Sequence, residues 1–111
     1  TPPDSGEDYD LAGVVAAQIW AQVLAGSVSL EGAARALDLS TRTLQRALRR
    51  DGADFRSLAN TIRVRRAKEL LSGTRASVTD ISAELGYSTP ANFARAFRKA
   101  TGLAPEVFRR G

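Results

Sequence analysis

The sequence predicts an all-α fold of about seven helices, and two observations support this prediction. Apolar residues recur at intervals of three and four along most of the 111 residues, and no run of useful length alternates as a β-strand would. Most periodic segments also begin near a residue suited to cap a helix and end near a glycine. The charged fraction of 25% and the hydrophobic fraction of 43% are those of an ordinary globular chain.

The first predicted helix covers residues 11–25, follows a linker over residues 1–10 and ends at Gly26. Trp20 lies beside its apolar stripe, and we interpret it as a core residue because large aromatic side chains are mostly buried. The stripe itself has helical spacing and is expected to face inward: Leu11, Val14, Val15, Ile19, Val23 and Leu24.

Two short helices follow. Ser29 is suited to cap the first, which runs to about Leu37, because its hydroxyl can accept a hydrogen bond from a free backbone N–H group. Ser40 or Thr41 begins the second, which runs to about Arg50 and ends at an Asp-Gly pair.

A long helix is then predicted from a cap at Asp54 to about Leu71, with Ser72 and Gly73 as its stop. Its inward residues are expected to be Phe55, Leu58, Ile62, Ala67, Leu70 and Leu71. Solvation, phosphate contact and pairing with acids such as Glu69 all remain open for its basic residues, which are Arg56, Arg63, Arg65, Arg66 and Lys68.

Three helices complete the chain. Ser77 and Asp80 resemble the start of a capping box, and the helix that follows ends at Gly86. Ser88 is expected to cap the next helix, which ends before Gly102, and Pro105 opens a short final helix. The inward residues of these segments are expected to be Val78, Ile81, Leu85, Phe93 and Phe97.

Two segments, residues 33–48 and 80–97, have the pattern of a helix-turn-helix unit. Such a unit needs a small residue where its helices cross and a turn residue that tolerates left-handed backbone. The small and turn residues are Ala34 and Asp38 in the first unit, whose core is expected to hold Leu37, Leu39, Leu44 and Leu48, and Ser82 and Gly86 in the second. The turn lies six residues before Leu44 and seven before Phe93, so the second turn is predicted to be one residue longer.

The second helix of each unit carries polar residues opposite its apolar face. Arg matches the acceptors of guanine, Gln and Asn match adenine, and the methyl group of Ala or Thr suits thymine. For one helix alone, a solvated surface is the simpler interpretation. The turns of the two units lie 48 residues apart, and a single long helix joins the units. This arrangement instead favours recognition of successive major grooves, about 34 Å apart. The outward residues are Arg42, Gln45, Arg46 and Arg49 in the first unit, and Thr89, Ala91, Asn92, Arg95 and Arg98 in the second.

Charge is unevenly distributed. Residues 1–39 hold six acids and one base, a net −5, whereas residues 40–111 hold fifteen bases and six acids, a net +9. Such a basic block favours nucleic acid as partner through neutralisation of phosphates, although a solubilising surface would have the same composition.

The chain contains no Cys, His or Met. Thiol nucleophiles, histidine bases and most transition-metal sites are therefore excluded, and neither a Gly-rich phosphate loop nor clustered carboxylates suggest an enzyme. We expect no catalytic residue, metal or cofactor. No segment has the roughly 20 apolar residues of a membrane span and no secretory signal is visible, so we expect a cytoplasmic protein with no membrane contact. The lack of Met and the linker-like start predict a fragment of a longer protein.

The segment from residue 81 to residue 110 resembles the AraC/XylS family of bacterial transcription regulators. The family pattern has Ile-Ala, Gly-Phe, Phe-Ser-Arg-x-Phe-Lys, Gly, Pro and Tyr-Arg. The departures are Ser82, Tyr87 and Phe108 here, with Asp38 in place of glycine in the first unit. The matching positions are Ile81-Ser82, Gly86-Tyr87, Phe93-Ala94-Arg95, Phe97-Arg98-Lys99, Gly102, Pro105 and Phe108-Arg109.

This resemblance implies two helix-turn-helix subdomains, residues 11–52 and 74–111, joined by a linker helix within residues 53–73. It implies double-stranded DNA as partner, RNA polymerase as a second one, and a small-molecule effector acting only through a separate N-terminal domain. It assigns base contacts to Arg42, Gln45, Arg46, Ala91, Asn92 and Arg95. Backbone contacts are expected from Ser40, Thr41, Arg49, Thr89 and Arg98.

The two units are expected to contribute unequally. Pro90 and Ala91 have no side-chain donor, so the first unit is expected to carry most of the specificity and the second to add affinity and register. The alternative hypothesis is a protein-interaction module of the same fold without DNA affinity.

Overall fold

The computed structural model describes residues 11–111, and the linker expected over residues 1–10 lies outside this range. These residues form seven α-helices and no β-strand, which confirms the predicted fold class. The helices are α1 (Leu11–Ala25), α2 (Leu30–Ala36), α3 (Thr41–Arg50), α4 (Phe55–Gly73), α5 (Val78–Glu84), α6 (Pro90–Thr101) and α7 (Pro105–Arg110).

Side-chain caps fix the start of most helices. Before α2, α3, α4 and α5, an oxygen of the capping residue accepts a hydrogen bond from the backbone N–H three residues later, at 2.9–3.0 Å. At Asp54 the acceptor is a carboxylate, and the backbone N–H and hydroxyl of Ser57 lower the pKa of that carboxyl by bonding to its charged form. All four capping residues were predicted: Ser29, Ser40, Asp54 and Ser77.

The predicted cap of α6 was wrong. Thr89, and not Ser88, precedes the helix, and its hydroxyl accepts from the N–H of Asn92 at 3.0 Å. The Ser88 hydroxyl instead accepts from the side-chain amide of Asn92 at 2.7 Å. Pro90 then occupies the first helical position, where the N–H that it lacks would have no partner within the helix.

One predicted helix end is adjusted and one predicted core residue is corrected. The helix α4 extends two residues beyond its predicted end at about Leu71 and ends at Gly73, within the predicted stop; Thr74 caps it, and the Thr74 hydroxyl donates to the carbonyl of Leu70. Leu24 was expected in the core but is 55% exposed, since it lies on the far side of α1 from Val15, Ile19 and Val23.

The long helix α4 forms the centre of the molecule. It packs along α1 on one side and against α5, α6 and α7 elsewhere, and the buried residues of all these contacts form one continuous core. Ala59 and Val64 of α4 are buried although the sequence pattern had not marked them as inward. Trp20 of α1 is half-buried against this core, as part of the layer that encloses it.

The molecule is elongated. Its Cα radius of gyration is 15.5 Å, whereas a compact domain of about 100 residues has roughly 13 Å. The Cα atoms extend 44 Å along the longest axis and 28 Å and 22 Å along the others. The exposed faces of the helices are therefore distributed along one long axis.

Candidate nucleic-acid interface

The first helix-turn-helix unit consists of α2 and α3. Ala34 is 2% exposed and allows the helices to approach closely, while its carbonyl accepts a hydrogen bond from the N–H of Leu39 at 2.8 Å. Asp38 between them has a φ of 60°, so it adopts the left-handed conformation that the sequence predicted. These contacts determine the direction in which α3 leaves the turn.

The second unit, α5 and α6, repeats this geometry with one more residue. Ser82 is 2% exposed, its hydroxyl donates to the carbonyl of Thr79, and its own carbonyl accepts from the N–H of Tyr87 at 3.0 Å. Gly86 has a φ of 85°. The cap of α6 lies three residues after this glycine, whereas the cap of α3 lies two residues after Asp38, which confirms the longer second turn.

The outer face of α3 is polar and exposed. Leu44 and Leu48 are fully buried and anchor the opposite face, so the four predicted outward residues face solvent: Arg42, Gln45, Arg46 and Arg49. Thr41 is half-buried, and the exposed Ser40 has its hydroxyl in the cap, where it also donates to the Thr43 hydroxyl at 2.9 Å.

The outer face of α6 is held by an internal network. Phe93 and Phe97 are fully buried, and Thr89, Ala91, Arg95 and Arg98 are exposed. Asn92 is half-buried; its amide nitrogen donates to Ser88, and its amide oxygen accepts from the Arg95 guanidinium at 3.0 Å. The structure thus joins Asn92 and Arg95, which the sequence had presented as separate candidates.

A chain of aromatic rings supports α6 from below. The ring centroids of Tyr87 and Phe93 lie 5.3 Å apart, those of Phe93 and Phe97 5.8 Å, and those of Phe97 and Phe108 5.4 Å. Tilted and edge-on pairs at such distances add to the burial energy of the rings. The aromatic residues of the matched motif therefore serve the framework of this unit rather than its outer surface.

A basic groove between α4 and α6 was not predicted as a unit. It has a volume of about 440 Å³, and Arg63 lies over the Tyr87 ring, 5.1 Å from its centroid. Burial raises the pKa of Tyr87 above its usual value, and the charge of Arg63 opposes this shift. The groove is lined by Arg56, Asn60, Arg63, Tyr87, Asn92, Arg95, Ala96 and Lys99. The basic residues at 56 and 63, two helical turns apart on α4, are the only sign of it in the sequence.

A second hollow of about 220 Å³ lies beside α3 and also touches Arg56. Gln45 and Arg49 line it from α3, and Asp54, Phe55 and Arg56 line it from the start of α4. Since Arg56 borders both hollows, the hollow beside α3 and the groove beside α6 meet at the start of α4. Of the other basic residues of α4, Arg66 pairs with Glu69 at 2.9 Å, as considered from the sequence.

Residues 11–111 contain no cluster of acidic residues that could hold a metal ion. The same part of the chain has no helix that is both long and apolar enough to cross a bilayer.

Comparison with known proteins identifies a protein family that matches this chain. A family model described as a helix-turn-helix domain matches residues 33–111. The transcriptional activator RhaS of Escherichia coli is 34% identical over 88 residues, which are 78% of this chain and 32% of RhaS. The chain spans about a quarter to a third of the length of the curated relatives that it matches.

Two solved structures share the fold over nearly the whole chain. One is described as a probable AraC family transcriptional regulator from Rhodopseudomonas palustris, with 25% identity, a TM-score of 0.78 and coverage of 92% of this chain and 96% of that one. The other is the DNA-binding domain of AdpA, a global transcriptional factor, in complex with a target DNA. It is 26% identical, with a TM-score of 0.77 and coverage of 92% of both chains.

Proposed function

Because the chain belongs to the AraC-type helix-turn-helix family and binds DNA sequence-specifically, we propose that α3 and α6 enter successive major grooves of one duplex. The family is one of transcription-regulator DNA-binding domains and not of enzymes. In this proposal α4 is the linker between two helix-turn-helix subdomains, residues 11–52 and 74–111.

The observation that carries the proposal is that residues of α3 and residues of α6 line two neighbouring hollows that share Arg56 of α4. A molecule that extends 44 Å can place two helices about 34 Å apart, the distance between successive major grooves on one face of B-DNA. Both faces also rest on fully buried anchors, Leu44 and Leu48 on α3 and Phe93 and Phe97 on α6. Rigid anchoring lets a helix present side chains to base edges with little loss of entropy.

We assign the base contacts and the backbone contacts to different residues of these faces. Within residues 11–111 the outward Arg and Gln side chains of α3 have no hydrogen-bond partner and can pair with guanine and adenine, whereas Asn92 on α6 already bonds to Ser88 and Arg95. We therefore assign most of the specificity to α3. The proposed base contacts are Arg42, Gln45, Arg46, Ala91, Asn92 and Arg95, and the proposed backbone contacts are Ser40, Thr41, Arg49, Thr89 and Arg98.

For the whole protein we propose regulation of transcription through RNA polymerase, with any effector bound by a separate N-terminal domain. The support is the name of RhaS, an activator, and the fact that this chain matches only 32% of it.

The assignment of the recognition helices is tested by truncating one Arg on each. Arg46→Ala and Arg95→Ala are each expected to weaken binding to the cognate site by about 1–3 kcal/mol in gel-shift titrations and to relax base preference at one position. Arg75→Ala, an exposed basic residue in the α4–α5 connection, is the charge-matched control. Cognate affinity equal to that of this control in both variants would contradict the assignment.

A further inference from the structure

We propose that the groove between α4 and α6 is a phosphate site, in which Arg63 binds the DNA backbone between the two major grooves. This inference rests on the proposed placement of α3 and α6. It makes α4 a part of the DNA-binding surface as well as a spacer.

The first argument is the state of the Arg63 guanidinium. Its Nε is buried and has no hydrogen-bond acceptor among residues 11–111, and no carboxylate in that range lies within salt-bridge distance. The Nε atom is itself closed to a ligand by its burial, but the guanidinium as a whole is left without a counter-charge from the described residues. A phosphate oxygen is a strong acceptor for a guanidinium and would supply the missing counter-charge.

The second argument is that Tyr87 holds this guanidinium in place. The ring lies beneath Arg63 at 5.1 Å, a cation–π geometry that restricts an otherwise flexible side chain. The Tyr87 hydroxyl is buried beside the same guanidinium, so Tyr87 supports Arg63 from below and does not itself face the groove opening.

The third argument is the charge around the groove. Arg56, Arg95 and Lys99 line it together with Arg63, and no acidic residue of the described chain does. Several cations that share one concave surface raise the local potential and attract an anion.

The fourth argument is position. When two helices occupy successive major grooves on one face of DNA, the minor groove between them faces the element that joins the helices. Here that element is α4, and Arg56 borders the hollows on both sides of it. The backbone strands that flank the minor groove would therefore pass Arg56 and Arg63.

The experiment is a salt titration of DNA affinity for Arg63→Gln, on the cognate site and on unrelated DNA. Loss of one phosphate contact is expected to reduce the magnitude of the slope of log K against log salt by about 0.9. The affinity for both DNAs should fall by the same factor. The matched control is Arg66→Gln, on the same helix, whose guanidinium is already paired with Glu69. A wild-type slope in Arg63→Gln, or an equal change in the control, would overturn the proposal.

Two further variants separate charge from folding. Arg63→Lys keeps the cation and is expected to keep the wild-type slope; an equally reduced slope would point to damaged structure and overturn the proposal. Tyr87→Leu removes the ring beneath Arg63 and is expected to weaken binding to both DNAs severalfold, whereas wild-type affinity would contradict the role of the ring in positioning the guanidinium.

A titration with inorganic phosphate, followed by NMR of the Arg63 side chain, separates the two sources of the anion. Saturation by free phosphate without any effect of Arg63→Gln on DNA would identify an anion site unrelated to DNA and overturn the backbone contact. The ratio of cognate to unrelated affinity does not depend on this contact, so it tests α3 and α6 separately.

Discussion

At the scale of single residues, the turn at Asp38 shows how local backbone chemistry positions a recognition helix. A non-glycine residue with a φ of 60° is strained, and Asp is among the few that tolerate this conformation. The equivalent residue of the second unit is Gly86, which adopts its φ of 85° without that penalty. The left-handed turn residue therefore carries backbone strain in the first unit and none in the second.

Asp38→Gly is expected to increase the free energy of unfolding by about 0.5–1 kcal/mol. Relief of the left-handed strain, worth roughly 1–2 kcal/mol, outweighs the greater entropy that glycine gives to the unfolded chain. Urea denaturation followed by circular dichroism measures the change. Asp38→Ala, which keeps the strain, serves as the control and should not be stabilised. A glycine variant no more stable than the alanine variant would contradict this account of the turn.

Asn92 shows what residue patterns cannot predict. Its type and spacing mark it as an adenine-contacting candidate, yet its amide bonds to Ser88 and Arg95. These bonds depend on side-chain orientations in a turn whose extra residue moves Ser88 out of the cap. Sequence spacing revealed the longer turn, but only the backbone geometry shows which hydroxyl reaches which N–H.

At the scale of helices, the caps were the most predictable feature. Each depends on one hydroxyl or carboxylate and an N–H three residues later, so the information is local and visible in the sequence. The end of α4 was predicted to within two residues, because Ser72 and Gly73, interpreted as its stop, are its last two residues and Thr74 is the cap. Inward residues such as Ala59 and Val64 were missed because α4 is packed on several sides and its burial does not follow a single stripe.

Thr89→Ala is expected to lower the free energy of unfolding by about 1 kcal/mol, since it removes the cap of α6. Ser88→Ala is the neighbouring control and should change it by no more than about 0.5 kcal/mol, because that hydroxyl accepts only from the side-chain amide of Asn92 and caps no backbone N–H group. Chemical denaturation of both variants measures the difference. A larger loss of unfolding free energy in Ser88→Ala than in Thr89→Ala would identify Ser88 as the cap instead.

The groove between α4 and α6 also belongs to this scale. Arg63 and Tyr87 are 24 residues apart, and their contact depends on how α5 and α6 fold back on α4. The sequence therefore left the role of Arg63 open between solvation, phosphate contact and pairing with an acid. The stacking on Tyr87 and the basic lining of the groove are what turn that choice into a specific proposal.

At the scale of the whole molecule, one continuous core supports two unequal DNA-binding faces. The α3 face carries four exposed polar side chains on buried leucines, whereas the α6 face has an alanine and a proline in its first turn and an amide engaged internally. The fold and the pairing of the units could be predicted from the sequence because they depend on repeated local patterns. The meeting of the two hollows at Arg56 could not, since it depends on the packing around α4.

The central claim, two recognition helices in successive major grooves of one duplex, is tested most directly by selecting bound sites from random DNA with this chain. The bound sequences are expected to contain two blocks of preferred bases whose centres are about 10–10.5 base pairs apart, with stronger preference in the block contacted by α3. Repeating the selection with Arg46→Ala should weaken preference in that block alone. A single block, or two blocks at variable spacing, would contradict the claim.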